Sequence, residues 1–489
     1  MKPDLTKIPK EVVDISKKLV KSGFESYLVG GCVRDLLLNK APKDWDLTTN
    51  AKPEEIQGVF PDSFYENDFG TVGIKTESED KTLKVIEITP YRTESEYTDN
   101  RHPDKVSFGD NIEQDLERRD FTINAMAFDI SKGHIIDLYK GQEDLSKGLI
   151  KAVGDPDKRF NEDALRMLRA IRFSAELGFV IEQETAESIQ KNSELTANVS
   201  RERIRDEFTK LILSDNPMMG MAIAEKLNIL SHISDVFRET IGVEQNKAAH
   251  KYDVWEHLLR TLQHAADKKF TLEIRLAALF HDIAKPRTKE EVSGKTTFYN
   301  HDVVGARVAR ETLKSLSFSK EIVQKVHKLV LNHMFFSDTE EITLSAVRRL
   351  VAKVGKEDIW DLMSLRICDR IGSGRPKEEP YRLRKFQSMI DEVMRDPLSV
   401  SMLKIDGGEI MKTFPVKPGP IIGNLLNALM EEVLEDPSKN TGMFLVKRVE
   451  ELLKLDEKEL KDMAEKGRNA LAGAEDSELE KIRSKRHVK

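Results

Sequence analysis

The sequence predicts an α+β protein in which a small mixed-sheet head is followed by a long all-helical remainder. Three observations carry this. Short β-like runs (YLVGG, TVGIKT, LKVIEIT, INAMAFDI and HIIDLY) fall between residues 27 and 139, among helix and turn signals. From about residue 155 such runs stop, and apolar residues recur at helical spacing through 161–177, 183–190, 202–213 and 218–230. The chain has 489 residues, more than one hydrophobic core usually serves. The expected organisation is a head over 1–150, a helical neck over 151–240, a histidine-rich helical domain over 241–375, a helical C-terminal region over 376–460 and a charged tail over 461–489. The C-terminal region is broken at Asp396–Pro397 and at VKPGPIIG. The tail is poor in large apolar groups and reads as a frayed helix or a disordered segment.

Composition narrows the class. Apolar residues make up 39% and charged residues 33% of the chain, which suits a well-solvated helical protein. No run has the length of a membrane span, and the start MKPDLTKIPK lacks a signal peptide's apolar stretch, so a cytoplasmic protein with no membrane partner is expected. Cys32 and Cys368 are the only cysteines, which excludes a disulfide framework and a cysteine zinc site. A net charge of −7 argues against indiscriminate nucleic-acid binding but leaves room for basic tracks at 158–172, 201–210 and 481–489.

Residues 9–22 have helical spacing and stop at Gly23; the run YLVGG then reads as a strand ending in Gly30–Gly31, and VRDLLL begins a helix. This strand–glycine–helix order leaves backbone N–H groups open at a helix N-terminus, where phosphates bind well. Arg34, one turn in, can add a charge-assisted contact to a triphosphate. Asp44 and Asp46 follow in KDWDL. Read as a strand, residues two apart share a face, so both carboxylates converge. Paired hard oxygens suit Mg²⁺, which favours a few carboxylates plus substrate phosphates. Glu87, in VIEITPYR, is the candidate third carboxylate. Asp163 and Arg166 are one turn apart on a predicted helix, with Arg169 and Arg172 continuing the row, a pattern also expected of an ion-paired helix face.

These motifs resemble a known family. GG-x-V-R-D followed by D-x-D is similar to the first motif of the class II CCA-adding and poly(A) polymerase family, in the polymerase-β nucleotidyltransferase superfamily. RRDFTINAMAFD, residues 118–129, resembles its second motif. By that resemblance Asp44, Asp46 and Glu87 are catalytic, Gly30, Gly31, Arg34 and Arg119 bind the nucleotide, and Asp120 and Asn124 support the sugar end. IIDLYKGQEDL resembles the family's hinge, with Leu138 in place of a proline and Lys140–Gly141 in place of a glycine pair. RFNEDALRMLRAIRF, residues 159–173, resembles the amino-acid template by which the family selects CTP and ATP: Asp163 and Arg166 read the base, and Arg169 and Arg172 contact the nucleotide. Hydrogen-bond polarity gives a reason. Cytosine and adenine both present an amino donor beside a ring-nitrogen acceptor, which a carboxylate and a guanidinium complement. Uracil and guanine present the reverse, leaving buried polar groups unpaired.

Further along, His281–Asp282 ends an apolar helix in LAALFHDIAK, and histidine with carboxylate suits divalent metals. With His257 upstream and Asp369 downstream, the order H…HD…D resembles the HD phosphohydrolase superfamily. That resemblance implies a divalent metal of unspecified identity, with His301 and His333 as further ligands or phosphate contacts and Lys285 as an aid to a phosphate. LKIDGGEIMKTFPVKPGPIIGNLLNALMEEVLEDPSKNT, residues 403–441, resembles the RNA-holding segment of HD-bearing family members.

The implied activity is Mg²⁺-dependent addition of CCA to tRNA from CTP and ATP, with HD phosphohydrolase activity on RNA ends as an addition. Three alternatives stand beside it. Addition of the terminal A alone is one, and the full-length segment YRTESEYTDNRHPDKV, residues 91–106, argues only against a CC-only enzyme. A poly(A) polymerase is another, disfavoured because PDSFYENDFGTVGIKT replaces a basic segment. The third is an HD phosphohydrolase that uses its head as an RNA-binding module.

Overall fold

The computed structural model describes residues 4–65, 70–94, 106–109, 111–245, 251–292, 295–335, 342–395 and 400–488. Most of segment 91–106 lies outside the described residues. The chain forms two compact units, Met1–His333 with Ser364–Pro376, and Met334–Met363 with Lys377–Lys489.

The first unit begins with the head. Its sheet has seven strands: β1 (Tyr27–Val29), β2 (Asp46–Thr49), β3 (Phe64–Tyr65), β4 (Val72–Lys75), β5 (Val85–Pro90), β6 (Ala127–Asp129) and β7 (His134–Ile136), in the order β3-β4-β5-β2-β1-β6-β7. Only β2 and β5 run parallel; the other neighbours are antiparallel. Leu28, Leu47, Ile86 and Ile88 are fully buried in the central strands, where two apolar faces need cover. The helix Lys10–Lys21 buries Val12 and Leu19 fully and packs against the helix Pro53–Val59.

Helices then take over: Pro156–Glu162, Leu165–Leu177, Gln183–Asn192, Arg201–Leu213 and Pro217–Lys226, followed by Val254–Asp267, Leu272–Phe280, His301–Ser315 and Lys320–Asn332. The sequence predicts one helix over 161–177, and here the structure differs. The helix breaks at Asp163, whose φ of −147° and ψ of 103° are extended, and Asp163 Oδ1 accepts from the Leu165 amide at 3.1 Å. An Asp side chain competes with the helix for backbone donors, which favours it at such a start.

The hinge-like segment sits under the second motif. Asp137 accepts from the Gly141 and Gln142 amides at 2.6 and 2.9 Å, starting the helix Gly141–Lys147. Lys140 takes a left-handed conformation, φ 60°, and a Cβ on Gly141 would lie 2.2 Å from the Thr122 carbonyl oxygen. Only glycine fits at 141.

The second unit is helical. Leu425, Leu429, Leu445, Val449 and Leu452 form its core with Leu460. The expectation of a frayed or disordered tail is corrected here: Glu457–Lys485 is one helix with an Asp456/Glu459 capping box. It closes against Pro420–Glu435 so tightly that a Cβ on Gly467 would lie 1.9 Å from the Asn427 carbonyl oxygen. Small residues, rather than large apolar ones, allow that approach, and composition alone conceals it. Among the described residues, no helix is long and apolar enough to cross a membrane.

Candidate active sites

A cavity of about 700 Å³ opens beside the sheet of the head. Gly30, Gly31, Arg34, Asp44 and Asp46 line it with Arg119, Asp120 and Asn124; Arg169, Arg172 and Phe173 line it from the helix Leu165–Leu177. Lys40, Lys43 and Lys210 add positive charge to its wall. Asp46 is the first residue of β2, but Asp44 stands in an exposed bend before it, not in the strand expected from the sequence. Glu87 is the register partner of Asp46 across the parallel β2–β5 pair and lies outside the cavity lining. Burial raises the Asp46 carboxyl pKa and Asp44 adds to this, while Arg119 opposes it. Two acidic groups with one raised pKa are what a cation would relieve.

Gly30 has φ +73°, and a Cβ there would lie 3.0 Å from a terminal nitrogen of Arg119. The glycine therefore lets that guanidinium lie across the turn. Arg119 donates to the fully buried Asp115 at 3.0 Å, and its Nε is buried with no partner among the described residues. A chain of contacts continues through the cavity wall. Arg34 donates to Asn124 at 2.8 Å, Asn124 to Asp120 at 3.3 Å, and Arg169 Nε to Asp120 at 2.8 Å. Burial would raise the Asp120 carboxyl pKa, yet Arg169 and its neighbours outweigh that and hold it at about 2. The Phe173 ring faces three guanidiniums, with Arg172 at 3.8 Å, Arg34 at 5.2 Å and Arg169 at 5.3 Å from its centroid.

Asp163 and Arg166 are not brought into the cavity lining. Arg166 donates to Glu162 at 2.6 Å, to the Arg159 carbonyl at 3.1 Å and to the Arg118 carbonyl at 2.9 Å. Asp163 accepts from Arg203 at 2.7 Å.

A second cluster lies in the helices beyond the neck. His257, His281, Asp282, His301 and His333 are all buried, and Asp369 is nearly so. The Nε2 atoms of His257 and His281 are 2.9 Å apart and lie 3.2 and 3.3 Å from Asp282 Oδ2. Asp369 Oδ1 is 3.4 Å from His257 Nε2 and 3.7 Å from His281 Nε2. Lys285 Nζ sits 2.6 Å from Asp282 Oδ2 and donates to Gln245 at 2.6 Å. Burial alone would lower the His281 pKa, but Asp282 and Asp369 push it up to about 10. The centre thus attracts positive charge strongly. All four residues predicted from H…HD…D converge, and His301 and His333 join them. His/carboxylate groups of this kind fit a divalent metal.

Family models match three stretches: the poly A polymerase head domain at 26–151, the probable RNA and SrmB-binding site of polymerase A at 178–237, and the HD domain at 254–372. A CCA-adding enzyme of Ligilactobacillus salivarius is 32% identical over 451 residues, covering 91% of this chain and 96% of that protein. The chain belongs to the CCA-adding enzyme family. A member from Lactococcus lactis is 32% identical over 468 residues, covering 92% of this chain and all of that protein. Among solved structures, the Bacillus stearothermophilus CCA-adding enzyme in complex with CTP aligns with TM-score 0.58 and 25% identity, covering 90% of this chain and 96% of that one. As a member of the CCA-adding enzyme family, the chain is a nucleotidyltransferase with an HD domain.

Three residues of the head cavity and its surroundings escaped sequence reasoning. Asp115 pairs with both Arg118 and Arg119. Glu207 accepts from Arg172 at 2.5 Å and faces Arg169 at 3.7 Å, while Arg203 holds Asp163. The spacing carried a signal: Asp115 is three and four residues before the two arginines, and Arg203 and Glu207 are one turn apart on the helix Arg201–Leu213.

Proposed function

We propose that the chain adds C, C and A to the 3′ end of tRNA from CTP and ATP, without a nucleic-acid template and with Mg²⁺, in the cytoplasm. One observation carries this reading: the Asp44/Asp46 pair, the Gly30 turn with Arg119 across it, and the Arg34–Asn124–Asp120–Arg169 chain all line one cavity. Magnesium bound by Asp44 and Asp46, with Glu87 beside Asp46, would neutralise charge on the attacking and leaving oxygens. The triphosphate rests on the Gly30–Gly31 turn, Arg34 and Arg119, whose buried Nε supplies a donor with no other partner among the described residues. Asp120 and Asn124 hold the sugar. Positioning of the RNA 3′-hydroxyl against the α-phosphate then supplies most of the rate.

Base choice falls to Asp163 and Arg166, with Arg169 and Arg172 as further contacts. The extended backbone at Asp163 supports this, because a break between two helices lets the carboxylate turn without unwinding either one. Arg166 must exchange Glu162 and two carbonyls for the base edge, and an incoming C or A replaces those acceptors where U or G does not. We assign the head to 1–150, the base-reading and RNA-binding neck to 151–240, the HD domain to 241–375, RNA binding to 376–460 and a helical tail to 461–489. The HD centre is proposed as a metal-dependent phosphohydrolase acting on RNA ends, on the strength of its buried His/Asp cluster.

The test uses three tRNA transcripts, ending at the discriminator base, at C and at CC, with CTP and ATP singly and together and an Asp44→Ala control. Completion of CCA on all three is expected. Labelling of the CC-ended tRNA alone would reduce the activity to A addition, and no incorporation by the intact chain would overturn the reading.

A further inference from the structure

Phe173 has more positive charge over its ring than any other aromatic side chain among the described residues. The guanidinium carbon of Arg172 lies 3.8 Å from the ring centroid, that of Arg34 5.2 Å and that of Arg169 5.3 Å. Every other described ring with a cation over it takes a single one.

Helix spacing accounts for one of the three. Arg169 is four residues before Phe173 on the helix Leu165–Leu177, so the two side chains share a face. Arg172 is the chain neighbour of Phe173, and adjacent helical residues do not face each other. Its guanidinium is held over the ring from the side, by Glu207 at 2.5 Å and Glu176 at 2.6 Å. Arg34 comes from another helix, Gly31–Leu37, which starts at the glycine turn. The Phe121 ring also meets Phe173, with centroids 5.9 Å apart and planes at 83°. Phe121 is fully buried and follows Asp120 in the second motif. One buried side chain therefore touches the glycine-turn helix, the second motif and the arginine row, and all three stretches line the cavity.

The ring holds an arginine differently from a carboxylate. A carboxylate takes the N–H edge of the guanidinium and occupies its donors. An aromatic face attracts the cation through its quadrupole and leaves the in-plane donors to polar partners. Here those donors go to Asp35 from Arg34, to Asp120 from Arg169, and to Glu207 and Glu176 from Arg172. An entering nucleotide can replace such partners, and the ring contact survives the exchange. We propose that Phe173 is a positioning residue for nucleotide binding: its ring keeps Arg34, Arg169 and Arg172 gathered at the cavity wall while their donors pass from carboxylates to the nucleotide. This rests on the CTP and ATP reading of the head cavity.

The experiment uses the full chain with Phe173 replaced by phenylalanine carrying one, two and three ring fluorines, which withdraw charge from the face at nearly constant size. CTP affinity is measured by calorimetry with Mg²⁺ and without RNA, so that no turnover is needed, and KM for tRNA is measured alongside. The dissociation constant for CTP should rise in step with fluorine number, to roughly tenfold at three, while KM for tRNA and the thermal midpoint hold. Phe173→Leu, which stays apolar and removes the face, should lose at least as much affinity. A flat fluorine series in folded protein overturns the proposal, and a loss confined to Phe173→Leu does so too, because packing alone then explains the residue. A parent chain that binds CTP but incorporates none would overturn the nucleotide-adding reading and leave the affinity series to decide on Phe173. A parent that does not bind CTP would overturn both.

Discussion

The head cavity and the histidine centre both present carboxylates to a cation, and they are built in opposite ways. In the head, Asp44 is exposed in a bend, Asp46 starts an interior strand, and the wall beside them is lined with arginine and lysine. The donor set is oxygen alone and far from complete. In the HD domain, four imidazoles and two carboxylates meet in a buried cluster supported by backbone carbonyls. The head leaves most of a coordination shell to substrate phosphates, which suits an ion that arrives with its nucleotide. The HD centre supplies its own shell and should retain its metal.

The strongest way to break this comparison is to remove one head carboxylate. Asp46→Asn should lower single-turnover incorporation of CMP by on the order of 10³-fold, since metal stabilisation of reacting oxygens is worth several kcal/mol. The metal content of the HD domain should not change. Loss of both together would mean that the two regions are not separate sites.

Next in size is base selection. Asp163→Asn replaces an acceptor-only group with an amide that can donate to a carbonyl. Discrimination of CTP over UTP, read as the ratio of kcat/KM values, should fall by about 10–100-fold. An unchanged ratio would move base reading away from the helix break and towards Arg169 and Arg172 in the cavity wall.

The two regions were also legible to different degrees. The glycine turn and Asp46 are close in the chain, whereas the second motif lies some distance on and was legible through its resemblance; pairing of β6 with β1 is what brings it beside the glycine turn. What could not be read was the break at Asp163: Leu165–Leu177 keeps helical spacing upstream of its true start, and periodicity cannot register one extended residue. The strand expected to carry both Asp44 and Asp46 likewise begins two residues too late, at Asp46 itself. In the HD domain, His301 and His333 lie at the start of one helix and just past the end of another. Nothing local marks them as ligands, because their convergence on Asp282 comes from helix packing. Gly467 in the tail is a similar case, a contact visible only once two helices are side by side.

Asp115 sharpens the head's side of the comparison. It is fully buried and does not line the cavity, so it acts through Arg119. As a positioning residue, Asp115→Asn should raise KM for CTP about 10-fold by releasing a guanidinium from over the Gly30 turn. KM for tRNA should hold, Asp115→Glu should restore part of the loss, and inhibition by tripolyphosphate should weaken in parallel. Equal increases in both KM values would point instead to a general loss of structure.

The smallest expected effect tests how the head keeps a buried carboxylate charged without metal. Arg169 holds the Asp120 carboxyl at about 2, against an unfolded value near ~3.9. A depressed folded pKa contributes stability that is complete above the unfolded pKa and is lost as pH falls towards the folded one. The stability difference between the parent chain and Asp120→Asn should therefore be flat from pH 7 to 5 and shrink by about 1 kcal/mol between pH 5 and 3. Chemical denaturation at fixed pH values measures it. A difference that stays constant to pH 3 would mean that Asp120 titrates alike in both states, and that the Arg169 contact orients the carboxylate without holding its charge.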